Sequence, residues 1–270
     1  MNGGPVRPAL AARVLTERAK GLAGWCLGVV AIVAIQVSVY PTIRDSQEGW
    51  ADLTEQFPEA FREIFRMTDY TTPTGYLATE LFTFVLPLVF VGVGAAWGAR
   101  SAAEEEENGT ADLLLSLPVP RSSLLATRVV TTWSVLVGLA VLLTASLLVG
   151  TRAVDMQVPV SRLLAGAVTL LLLGAVFDAV ALLAGALSGR RGVALGTSLG
   201  LAIASFVLYS LAPLVSTFDA LLPANPFQWT LGARPLTDGL DAGYVSGALT
   251  VTALVVGCSF VAYSRRDVRT

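Results

Sequence analysis

Apolar residues along this chain gather into six long runs separated by short polar stretches. The runs lie near residues 21–41, 76–99, 128–150, 162–187, 193–215 and 243–263. A helix needs about 20 mostly apolar residues to cross the hydrocarbon core of a bilayer, and each run meets that length. Gly, Ala, Ser and Thr recur within them, as expected where helices pack closely in lipid. The pattern predicts an all-α membrane protein: a six-transmembrane-helix bundle forming a single transmembrane domain over residues 1–270.

The stretches between the runs carry their own patterns. In "LTEQFPEAFREIFRM", Phe57, Phe61, Ile64 and Phe65 fall at helical spacing with charges opposite. This predicts that the loop over 45–71 holds an amphipathic helix lying in the membrane interface, or else a small cap packed on loop residues. Residues 216–242 contain several prolines among apolar residues, too broken to span; they read as a re-entrant or hairpin cap over one end of the bundle. Near the start, Leu10, Ala11, Val14 and Leu15 line one face. They suit an interfacial helix leading into the first span, or simply a basic flank that sets topology.

Composition sharpens the picture. Of 270 residues, 54% are hydrophobic and only 14% charged, against about 25% charged in a soluble domain. Histidine is absent, which removes the commonest general base and metal ligand. Only one lysine exists, Lys20, and its surroundings exclude a G-x-x-x-x-G-K-[ST] phosphate loop. No metal or nucleic-acid site is expected. Cys26 and Cys258 each lie inside an apolar run and read as small packing residues, and no cleavable signal peptide is expected at the start.

Orientation follows from the basic residues, which favour the cytoplasmic side. With both termini on one side, that side holds twelve of the 18 Lys and Arg residues. Both termini are therefore expected in the cytoplasm of a multi-pass plasma-membrane protein. Arginine almost wholly replaces lysine, a usage that suggests a prokaryote.

Two features carry candidate chemistry. The first is "SAAEEEENGTADLLLSLPVPR", joining the second and third spans on the cytoplasmic side. Glu104, Glu105, Glu106 and Glu107 carry acid to a helix C-terminus, where it opposes the macrodipole, so the run does not serve helix stability. Asn108-Gly109 suits a C-cap, Thr110 can cap a following short helix, and Pro118 and Pro120 end it. An apolar helix beside carboxylates suits docking of a basic cytoplasmic partner; a solvated turn that merely ends the second span is the bland alternative. The second feature is Asp178, the one carboxylate deep in a predicted span. An ionised group there costs at least about 2.5 kcal/mol, so it should face the bundle interior. It reads either as a substrate or proton site on a translocation path, or as a helix-packing hydrogen bond. Glu80, nearer the outer end of the second span, reads as structural. Trp133 and Trp97 read as parts of aromatic belts near span ends, and Gln36 and Gln228 stand isolated.

The first feature resembles the signature of permease subunits of the ABC-2 family of ATP-binding-cassette transporters. The matching residues are Glu105, Glu106, Gly109, Thr110, Leu114, Leu115, Ser116, Pro118 and Arg121. "TPTGYLATELF" at the second span, "NPFQW" in the last outer loop and "YSRRDVR" at the end look alike too. The resemblance implies that residues 104–121 form a coupling helix that meets an ABC ATP-binding subunit. It implies a second permease chain, as homodimer or heterodimer, and ATP with Mg held by the partner, so the chain is not itself an enzyme. It further implies export of a drug, lipid or peptide-like amphipathic substrate. The loop after the first span is longer than a minimal linker, a departure from the pattern. The alternative reading is an ion-coupled secondary transporter using Asp178; a membrane-embedded enzyme is the weakest of three.

Overall fold

A computed structural model describes residues 8–46, 49–50, 53, 56–58, 61–62, 70–107 and 120–265. Among them every regular element is helical. Helix α1 (Pro8–Glu17) leads into α2 (Ala19–Asp45); α3 (Pro73–Leu77) continues as a π-helical turn (Ala78–Phe82) and then α4 (Val85–Glu107). There follow α5 (Arg121–Ala153), α6 (Val160–Ser188) and α7 (Arg191–Leu211). Two 3-10 segments (Ala212–Leu214 and Ser216–Ala224) precede the short α8 (Pro226–Leu231), and α9 (Ala242–Arg265) closes the described chain. Five helices are long and apolar enough to span a bilayer, and a sixth span results if α3 and α4 count as one.

Helix α6 is the centre of the bundle and packs on α4, α5, α7 and α9. Its sequence is apolar all round because nearly every side faces protein, as in a buried helix. It ends at Gly189, whose φ of 67° is the left-handed conformation that glycine adopts most cheaply. The Gly189 N–H returns to the Gly185 carbonyl at 2.8 Å. Arg190 then leads directly into α7, so α6 and α7 form a tight antiparallel pair.

Three elements differ from the hydrophobic runs. Helix α5 begins at Arg121, seven residues before the run near 128–150. Pro120, extended with φ −64° and ψ 139°, delivers the chain into it. Those extra turns form because Leu124, Leu125 and Thr127 are buried, Leu125 in a cluster with Val129, Leu182 and Ala186. The second span is not continuous: α3 with its π turn and α4 meet at 41°. Pro87 lacks the N–H that would reach Thr83, so the ladder is interrupted there. At the same break the Thr83 hydroxyl donates to the Ala78 carbonyl at 3.0 Å. The fifth span stops as an α-helix at Leu211, where Pro213 forces a 3-10 turn.

In the segment 216–242 the chain dips into the bundle. Asn225 caps α8, its Oδ1 accepting from the Phe227 N–H at 2.9 Å, while its Nδ2 donates to the Ser205 carbonyl at 2.8 Å. Ser205 lies six residues inside the end of α7, about 9 Å along it. Phe227 is thereby buried against Phe206, Tyr209 and Phe177. Of the expected interfacial helix in 45–71, Phe57 and Phe61 stack with centroids 5.0 Å apart; Ile64 and Phe65 lie outside the described residues.

Candidate functional site

Two regions of the bundle hold the candidate residues. One is a close helix contact, where α4 crosses α6. Gly94 and Gly98 of α4 face Gly174 and Asp178 of α6. A Cβ at Gly94 would collide with the Gly174 carbonyl, and one at Gly98 with the carbonyl of Asp178 and, at 2.8 Å, with its Oδ1. From the other side, a Cβ on Gly174 would lie 3.0 Å from the Phe90 carbonyl. The backbones touch because these positions lack side chains, the small-x-x-x-small arrangement that substitutes van der Waals contact for a hydrophobic drive in lipid. The G-x-x-x-G spacing at 94–98 is visible in the sequence, but so is the same spacing at 24–28 and 192–200, where an added Cβ meets nothing within 4 Å, so only packing singles out this pair.

Asp178 sits in that contact, 1% exposed. Trp133 of α5 donates its indole N–H to Oδ2 at 3.1 Å. Three helices therefore meet at one carboxylate: α6 carries it, α5 supplies a donor and α4 closes over it with a glycine. Trp133 is not a belt residue, because α5 starts earlier than its apolar run; the ring lies twelve residues inside the helix, about 18 Å from its start. Next along α6, the Phe177 carbonyl accepts from the Ser198 hydroxyl of α7 at 2.7 Å.

The second region is where α4 and α5 emerge toward the segment that joins them. The backbone is helical through Glu107 and again from Arg121, so Glu104, Glu105, Glu106 and Glu107 extend α4, and Arg121 opens α5. Gly109, Thr110, Leu114, Leu115, Ser116 and Pro118 lie outside the described residues. Just inside these ends, Arg128 is buried and donates through Nη1 to the Ser101 carbonyl at 2.7 Å. The guanidinium of Arg18, between α1 and α2, lies 5.0 Å from the Trp97 ring centroid of α4, a cation–π distance. The end of α4 is thus held by Arg18, between α1 and α2, and by Arg128 of α5, and α1 in turn packs on α5.

At the opposite end a third polar group gathers around Glu80, in the π-helical turn. Tyr70 donates to its Oε1 at 2.7 Å and Gln36 to its Oε2 at 3.1 Å. The Tyr76 hydroxyl donates to the Gln36 carbonyl at 2.9 Å. Burial first, and then the Glu80 carboxylate that accepts its hydrogen bond, raise the Tyr70 phenol above its ordinary value of 10.0. Gln36, uninformative as an isolated residue, ties α2 to the broken span. Gln228 likewise donates to the Tyr244 hydroxyl at 3.0 Å, joining α8 to α9.

No group of three or more metal-ligating side chains occurs among the described residues. The helices define a multi-pass membrane protein whose polar groups are buried between spans. Residues 15–268 match the family described as ABC-2 family transporter protein, and the chain belongs to that family. No curated protein matches it. Its role is that of a transporter permease, the membrane part of an ABC transporter.

Proposed function

We propose that this chain is the permease half of an ABC exporter, forming its path with a second permease chain and driven by separate ATP-binding subunits. The observation that carries the reading is the family match over nearly the whole chain. Residues 104–121 are the coupling segment in this reading. Glu104, Glu105, Glu106 and Glu107 offer carboxylates to a basic groove, and Gly109, Thr110, Leu114, Leu115, Ser116, Pro118 and Arg121 supply the turn and apolar contacts. ATP and Mg are held by the partner. Closure of the ATP-binding subunits pushes on the segment, and the contacts at its roots carry the displacement into α1, α4 and α5. The row Gly192, Gly196 and Gly200 on α7, where an added Cβ meets nothing within 4 Å, offers a face for close approach of a second chain. The aromatic surface of Phe84, in the turn before α4, and Phe206 of α7, in contact with it, suits bulky amphipathic cargo such as a drug, lipid or peptide. The basic-residue bias supports cytoplasmic termini, and the use of arginine in place of lysine supports a prokaryotic plasma membrane.

The test is co-purification from membranes with the ATP-binding subunit encoded beside it. A stoichiometric complex is expected for the wild type and its loss for Glu106→Lys/Glu107→Lys. Absence of any ATPase from well-folded wild-type chain would overturn the reading.

A second reading, ion-coupled transport through Asp178, is favoured by one observation: a buried carboxylate with a neutral indole donor. Asp178→Asn separates the two, since an amide keeps an acceptor for Trp133 but cannot carry a proton.

A further inference from the structure

An open groove of about 880 Å³ runs between α6 and α9. On α9 it is lined by Ala253, Leu254, Gly257, Cys258, Val261, Ala262 and Arg265, one face of the helix; on α6 by Leu183, Ala186 and Leu187. We propose that this groove binds an anionic phospholipid, with an acyl chain along its apolar wall and the headgroup phosphate on Arg265.

Length is the first argument. From Ala253 to Arg265 is twelve residues, about 18 Å of helix. That is close to half of a hydrocarbon core about 30 Å thick, the depth one lipid occupies in its own leaflet. Polarity is the second. The walls are aliphatic, with Leu187 and Leu254 each 64% exposed, and the one charge sits at the end. Arg265 is exposed in the last turn of α9, level with the end of α6, where a headgroup would lie. A guanidinium binds phosphate through paired N–H donors, and basic sites between spans select anionic headgroups.

Charge also decides against a second copy as occupant. Helix α9 contains no Asp or Glu, and the one acid of α6 is the buried Asp178. Among the described residues that line the groove there is no carboxylate, so two such faces packed together would bring arginine to arginine. The proposal rests on the membrane-embedded fold alone and stands apart from ATPase coupling.

The test uses the full-length chain in mild detergent, offered equimolar phosphatidylglycerol and phosphatidylcholine of the same acyl composition, with bound lipid counted by native mass spectrometry. One arginine at a membrane surface is worth about 1 kcal/mol toward an anionic lipid, so about a fivefold preference for phosphatidylglycerol is expected. Arg265→Ala, at an exposed helix end, should abolish the preference, while Arg152→Ala at the other end of the bundle should keep it. Gly257→Leu should reduce retention of both lipids, because an added Cβ there meets no atom within 4 Å and the side chain grows into the groove. Equal retention of the two lipids by the wild type, or an unchanged preference in Arg265→Ala, would overturn the proposal. So would an efficient Cys258–Cys258 cross-link in native membranes with Cys26→Ser, which would put a second copy in the groove.

Discussion

At the scale of single residues, the group most exposed to error is Asp178, because a carboxylate out of water must be matched by donors or neutralised. The structure gives it the Trp133 indole and closes α4 over it. Removing the acceptor strands the indole N–H, a cost of about 1–3 kcal/mol. Asp178→Ala is therefore expected to lower the melting temperature of purified chain, whereas Asp178→Asn, which keeps an acceptor, should remain near wild type. Under the ABC reading Asp178→Asn also keeps transport in reconstituted vesicles; loss of transport with stability intact would move the mechanism to ion coupling. The acid itself is conspicuous in the sequence, whereas its partner is not. Trp133 stands 45 positions away, and only the early start of α5 carries it to the level of Asp178.

Among elements, the α4–α6 crossing sets how close two spans come. Ridge packing between ordinary side chains separates helix axes by about 8–10 Å; glycines at 94, 98 and 174 allow a nearer approach. Gly98→Ala adds a methyl where backbone, not a flexible side-chain tip, is in the way. Overpacking of this kind costs about 1–3 kcal/mol, expected as a lower thermal midpoint by fluorescence-detected size exclusion. Gly138→Ala, where a Cβ meets nothing within 4 Å, should be silent. The broken span shows the same dependence on neighbours. Pro87 weakens the ladder at Thr83 in any context, but the π turn settles at Ala78–Phe82 beside the Glu80, Gln36 and Tyr70 network. A local defect became a defined bend because Glu80 found partners on other segments.

For the whole molecule, the basic-residue bias acts together with an even span count, which holds when α3 and α4 are counted as one span. Arg18, Arg128, Arg190 and Arg265 fall toward the same end of the bundle as Glu107 and Arg121. Because basic residues are retained on the cytoplasmic side, a cysteine at Ser264 is expected to resist a membrane-impermeant thiol reagent in intact cells, and one at Ser216 to react. The background lacks Cys26 and Cys258. Labelling at Ser264 without lysis would invert the topology and place residues 104–121 beyond the reach of a cytoplasmic ATPase.

The sequence by itself determined the all-helical class and where long apolar helices form, five of them among the described residues and a sixth if the bent pair counts as one. Runs of apolar residues have one low-energy fate in a bilayer, and Gly189, Pro120 and the Asn225-Pro226 pair act on their own backbones. It also held the ABC-2 family membership, since that match rests on residue order over 15–268. What the tertiary structure decided is which side chains meet. Apolar positions suit lipid and protein interior equally, so the sequence alone could not tell buried α6 from outlying α9. Nor could it tell Trp133 at an acid from a tryptophan at a headgroup, or pair Gln36 with Glu80. Those assignments come from contacts between residues tens of positions apart, formed only when the helices pack.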